Sequence, residues 1–276
     1  MLRPRWSAVA SLLVVTVGLG VWLAASPGRR HASHAAPRGD RAVARSIAEG
    51  RARNRSAYRY DLVHGARIVP SPATGTYTVE STAPARPRAV VVVVHGHNGN
   101  TFAEYRLWQP YVSRHGYGLM AVEWQPRFGA QPEFLDPRST YAMIARALRA
   151  HGIGPGRALL HGFSMGSHAA FALAALDHAG SRLFALTIAE SGGARDLPAS
   201  PAAFGGTRWV LYCAGRDQWP DISGCPAMRR AERLLRASRA RIDRFLVDPP
   251  AKHGGFLLNP REVEVALADF AHARAP

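Results

Sequence analysis

Lysine is almost missing from this chain. Lys252 is the only one in 276 residues, so the excess of 35 basic over 19 acidic side chains is carried by Arg. A formal net charge of +16 would suit nucleic acid, anionic lipid or an acidic polymer. Yet no basic block is interleaved with aromatic residues and no nucleic-acid motif occurs, which argues against nucleic acid as a partner. The charge is dispersed, as on solvated faces. Cysteine is scarce as well, with Cys213 and Cys225 alone. Neither follows the N-terminal apolar run, which excludes a lipid-attached cysteine there. No internal repeat and no sign of a second domain are found. Hydrophobic residues at 47 % against 20 % charged exclude a disordered chain, and the length allows one core of moderate size.

What is present begins with an address. Arg3 and Arg5 precede an apolar run from Ala8 to Ala25, and Ala24, Ala25 and Ser26 supply small residues after it. That order is the pattern of a secretory signal peptide, with a retained membrane anchor as the alternative because the run is long and Arg29 and Arg30 follow it. Either way the rest of the chain is expected outside the cytoplasm, and the membrane is a partner only through an uncleaved leader. In an exported protein the two cysteines are expected to form a disulfide. The expected organisation is a leader over residues 1–36, a basic and irregular arm over 37–62, and a catalytic domain over 63–276.

Two short β-like runs, Ala66–Val69 and Thr76–Thr82, read as a hairpin across Pro70, Pro72 and Gly75. Then strand and helix alternate. Ala89–Val94, Gly118–Trp124, Arg157–His161, Leu183–Ala189, Trp209–Cys213 and Arg241–Val247 are strand-like runs, most of them apolar. Between and after them lie helical stretches at Phe102–His115, Ser139–His151, Ser164–His178 and Pro226–Ser238, and a last helix opens at Asn259-Pro260. Such alternation predicts an α/β fold, a mostly parallel sheet with helices on both faces, and the short connections leave no room for a large lid.

Ser164 lies in Gly162-Phe163-Ser164-Met165-Gly166, between a buried strand and an Ala-rich helix. The pattern demands glycine because a strand turning sharply into a helix leaves no space beside the serine. A serine needs a base to become a nucleophile. Of the 12 histidines, His253 follows the sixth run of the alternating series and precedes the last helix, which puts it at the C-terminal edge of the sheet. Asp217 follows the fifth run and gives the chain order Ser, Asp, His; Asp221 and Asp248 are rivals for the acid. An oxyanion needs preset N–H donors, and the turn His95-Gly96-His97-Asn98-Gly99-Asn100 offers that of His97, or Asn98, beside that of Met165. Trp124, Phe128, Phe134 and Trp219 either line a substrate pocket or belong to the core. The Arg-rich helix near 226–240 either faces an anionic surface or is simply solvated.

His95-Gly96, Gly162–Gly166, Gly215-x-Asp217 and His253-Gly254 together resemble the α/β-hydrolase superfamily over roughly residues 63–276. More loosely, the chain is similar to small secreted feruloyl-esterase-like and polyester-depolymerase-like enzymes. The resemblance implies the α/β-hydrolase fold, a Ser164–Asp217–His253 triad, no cofactor and no metal, and a small-molecule or polymeric ester as substrate. Acyl transfer, peptide cleavage and a non-catalytic binding module are the competing functions on the same fold, and oligomeric state is left open.

Overall fold

The computed structural model describes residues 39–274 apart from 82, 129–131 and 195–200. The leader therefore lies outside the described residues, as do Thr82 of the expected hairpin and parts of the two long loops after 125 and 190. Eight strands form one sheet in the order β1-β2-β4-β3-β5-β6-β7-β8. They are β1 Ala66–Ser71, β2 Thr76–Ser81, β3 Val90–Val94, β4 Gly118–Val122, β5 Ala158–Phe163, β6 Phe184–Glu190, β7 Arg208–Ala214 and β8 Arg241–Asp248. β1 pairs antiparallel with β2, and β2 with β4; every other pairing is parallel.

Valine fills all five positions of β3, and the alternation of the strand sends them to two cores. Val91 and Val93 join the cluster built by α3 (Thr101–His115) and α7 (Pro260–Ala273). Val90, Val92 and Val94 join the one built by α4 (Pro137–Ala150) and α5 (Met165–Ala179). A third cluster packs Trp209 and Leu211 of β7 against Met228, Ala231 and Leu235 of α6 (Cys225–Ala237). Burial on both faces is what makes these strands continuous apolar runs.

Residues 40–63 depart from the irregular arm expected for them. They form two helices, α1 (Asp40–Arg53) and α2 (Arg55–Val63), joined at Asn54, whose side chain accepts the N–H of Ala57 at 3.1 Å. Ala, Arg and Glu are good helix formers, and the buried face is made of small residues. Val43, Ser46 and Gly50 of α1 and Ala57 of α2 are buried, and a Cβ at Gly50 would strike the Tyr77 hydroxyl. Ile47 and Tyr58 pack against the core as well, and the described residues form one compact unit.

Asp61 of α2 is fully buried, and neither carboxylate oxygen meets a hydrogen-bond donor. Burial pushes its pKa up to about 8, against the pull of Arg106. In the unfolded chain it ionises near 3.8. The folded state thus holds the proton longer, and stability falls as pH rises from about 4 through about 8. Asp61→Asn is expected to flatten that slope: the melting temperatures of variant and parent should converge near pH 4 and diverge in the variant's favour at pH 9.

Candidate active site

Ser164 joins β5 to α5 at φ 55°, ψ −116°, a left-handed backbone that few non-glycine residues adopt. The flanking glycines are required by close approach. A Cβ at Gly162 would collide with the Gly166 carbonyl, and one at Gly166 with the Val94 carbonyl. The turn lifts Oγ to the C-terminal edge of the sheet, where the Ser164 N–H is held by the Glu190 carbonyl at 2.8 Å.

Oγ of Ser164 lies 2.8 Å from Nε2 of His253, and Nδ1 of the same ring lies 2.8 Å from Oδ2 of Asp217. An ionised carboxylate only accepts, so Nδ1 carries the ring proton and Nε2 is free to receive one. Asp217 is itself fixed: Oδ1 accepts the Trp219 N–H at 2.9 Å and Oδ2 the Ser223 hydroxyl at 3.0 Å. The rival acids stand elsewhere. Asp221 is exposed beside Arg230, and Asp248 accepts the Tyr212 hydroxyl at 3.1 Å.

Cys213, at the end of β7, is bonded to Cys225, the first residue of α6, so the loop carrying Asp217 is a covalent ring. A ring of this size stabilises by about 3 kcal/mol through the entropy it removes from the unfolded chain. The double variant Cys213→Ala, Cys225→Ala is expected to lose about that much in urea denaturation.

The turn over residues 95–100 is shaped by the first helix and by the loop after β4. Gly99 N–H donates to the Gly96 carbonyl at 2.9 Å, and Asn98 sits at φ 52°. The Asn98 N–H is already given to Gln125 Oε1 at 3.0 Å, and its carbonyl accepts from Arg53 at 2.8 Å. The Asn98 N–H is thus engaged, while His97 is an exposed residue in the same turn. Met165 opens α5, whose first N–H groups have no partner within the helix. A Cβ at Gly96 would lie 2.9 Å from the Ser164 Cβ, so this turn runs directly past the serine.

Of the aromatic residues expected at a pocket, Trp219 is 46 % exposed and presents its edge to His253 at 5.0 Å. Phe128 is half-buried under the Arg53 guanidinium, 4.4 Å from its ring centroid. Phe134 is partly buried, 6.0 Å from the His97 ring. Trp124 does not line an open pocket: it is buried against Phe134, and its indole N–H donates to the His95 carbonyl at 2.9 Å. A cavity of about 700 Å³ does exist, lined by Arg67, Glu80, Met143, Arg146 and His151, but it lies between the β1–β2 hairpin and α4 and contains none of the residues around Ser164.

Several residues went unnoticed in the sequence. Phe163 packs its ring 5.1 Å from His253, between Gly96 and Gly254, where a Cβ on either would press on it. Two buried imidazole–carboxylate pairs lie at the same edge. In one, His95 Nε2 meets Glu123 at 2.8 Å and Nδ1 meets the Gly96 carbonyl at 2.8 Å. Burial opposes a charge on this ring, but Glu123 and the Gly96 carbonyl lift its pKa above the ordinary value. In the other, His161 meets Glu190 at 3.0 Å. Glu104 lies near both pairs, its carboxyl raised to about 7 by burial, with His161 and His95 pulling it down and Glu190 adding to the rise. The available signal was an acid or histidine inside a buried apolar run, which calls for a partner.

Solved structures similar to this chain include esterases. A carboxylesterase from Bacillus cereus superposes with a TM-score of 0.56 at 14 % identity, covering 71 % of this chain and 93 % of that one. An esterase from Pyrococcus furiosus gives 0.57 at 14 %, covering 77 % and 92 %. A phospholipase/carboxylesterase from Dyadobacter fermentans gives 0.52 at 15 %, covering 75 % and 98 %. No protein-family profile and no curated protein sequence matches the chain. The chain has the α/β-hydrolase fold.

Proposed function

We propose that this protein is an exported serine hydrolase that cleaves carboxylic esters through an acyl-enzyme on Ser164. The observation that carries the reading is the unbroken line Ser164 Oγ, His253, Asp217, with 2.8 Å at each contact. In this reading His253 Nε2 takes the Ser164 proton as Oγ attacks the ester carbonyl. The N–H groups of His97 and Met165 receive the oxyanion. Nε2 then returns the proton to the departing alcohol, and water repeats the sequence to free the acid. Asp217 holds the tautomer and the imidazolium. The leader pattern over residues 1–36 and the disulfide support export. Among the described residues no helix is long and apolar enough to cross a membrane.

Trp219 and Phe163 beside the reacting imidazole favour esters with apolar or aromatic acyl groups. A fluorophosphonate probe tests the reading. Covalent labelling of the folded protein at Ser164, with turnover of p-nitrophenyl esters, is the expected result. No label would leave a binding module on the same fold. Products formed mainly with a competing alcohol or amine would make it an acyltransferase.

A further inference from the structure

Glu190 ends β6 with its side chain almost fully buried. Its carboxylate is satisfied from three directions. Oε1 accepts the N–H of Gly255 at 2.8 Å and of Phe256 at 2.9 Å. Oε2 lies 3.0 Å from His161 Nε2. The other nitrogen of that ring, Nδ1, lies 3.0 Å from the indole nitrogen of Trp108. An indole N–H only donates, so Nδ1 accepts, the ring proton sits on Nε2, and Nε2 donates to Glu190. The main-chain carbonyl of Glu190 meanwhile accepts the N–H of Ser164 at 2.8 Å. One residue therefore grips the serine turn through its backbone and the chain just after His253 through its side chain.

We propose that Glu190 is a positioning residue that sets the separation between Ser164 Oγ and His253 Nε2. The inference rests on the reading of those two atoms as the reacting pair. They come from distant parts of the chain, one at the end of β5 and the other on the loop after β8. Their 2.8 Å contact must be held by something that touches both sides. Glu190 does, and His161, itself braced by Trp108, fixes the carboxylate plane. Glutamine cannot replace it: an amide has one oxygen, and its NH2 would face at least one of three donors, leaving a buried donor unpaired. The histidine loop would then relax away from the serine. A displacement of about 1 Å at a reacting pair costs on the order of 100-fold in rate.

The test compares the parent protein with Glu190→Gln. Fluorophosphonate labelling run to completion counts competent sites, and kcat on p-nitrophenyl butyrate is expressed per labelled site. The expected result is a kcat per site lower by about 10- to 100-fold, with KM within about twofold of the parent. A lower melting temperature with parental kcat per site would make Glu190 a folding residue only and overturn the proposal. If Glu190→Gln does not fold, Trp108→Phe takes away the donor that braces His161, together with part of a buried ring. A kcat per site reduced by about threefold or more at unchanged KM supports the proposal, and a parental kcat overturns it. Failure of the parent protein itself to label would instead sink the assignment of Ser164, so the two failures are distinguishable.

Discussion

Ser164→Ala is expected to lower kcat on a p-nitrophenyl ester by on the order of a millionfold, to a residue of activity that owes nothing to acyl-enzyme formation. The loss is large because the parts act as a unit. Without Oγ, the His253 base has no proton to take, and Asp217 orients a ring with no task. The fold should survive, since Ala adds no atoms at the crowded turn and the Ser164 N–H bond to the Glu190 carbonyl is untouched. Circular dichroism and melting temperature check the fold, and the kinetic loss is read against an unlabelled background. Activity within tenfold of the parent, about 1.4 kcal/mol of barrier, would refute the assignment of the nucleophile.

Asp217→Asn should cost on the order of 10⁴-fold in kcat with far less change in the structure. The asparagine NH2 would face His253 Nδ1 and drive the proton to Nε2. That nitrogen could then no longer accept from Ser164, although every heavy atom stays near its place. Asp221→Asn is the matched control, because Asp221 is exposed and touches Arg230 rather than the imidazole. It is expected to leave kcat within about twofold, as surface substitutions do. A deep loss in the control with a mild one in Asp217→Asn would reverse the choice of acid.

What could be read from the sequence followed from how each residue is held. β3 was legible because five valines in a row admit few readings other than a strand buried on both faces. The Ser164 turn was legible because its two glycines are forced by backbone contacts of the strand-to-helix turn itself. Asp217 and His253 could be placed at one edge because each follows a strand of the parallel series, β7 and β8, before any contact is known. α1 and α2 were missed for the opposite reason. Their inward faces use Val43, Ser46, Gly50, Ala57 and Asp61, which leave no apolar stripe to count. Trp124 stayed open between pocket and core because an aromatic residue just past a strand can turn inward or outward, and only its burial and its bond to the His95 carbonyl decide. The His161–Glu190 pair was illegible because neither residue reveals its partner until β5 and β6 lie side by side.

The two N-terminal helices change where this protein can be cut. A piece beginning at residue 63, the boundary the sequence suggests, would keep Ser164, Asp217, His253, His97 and Met165. It would nevertheless lose Arg53 from the Asn98 carbonyl and the Gly50 carbonyl from the Asn100 side chain, the outer struts of the turn that runs past Ser164. It would also lay bare Tyr77, Phe102 and Tyr105, which are fully buried in the intact domain. A protease acting between α2 and β1 would thus leave a fragment with all its chemistry and a sticky flank. α1 and α2 therefore belong to the same body as the candidate site.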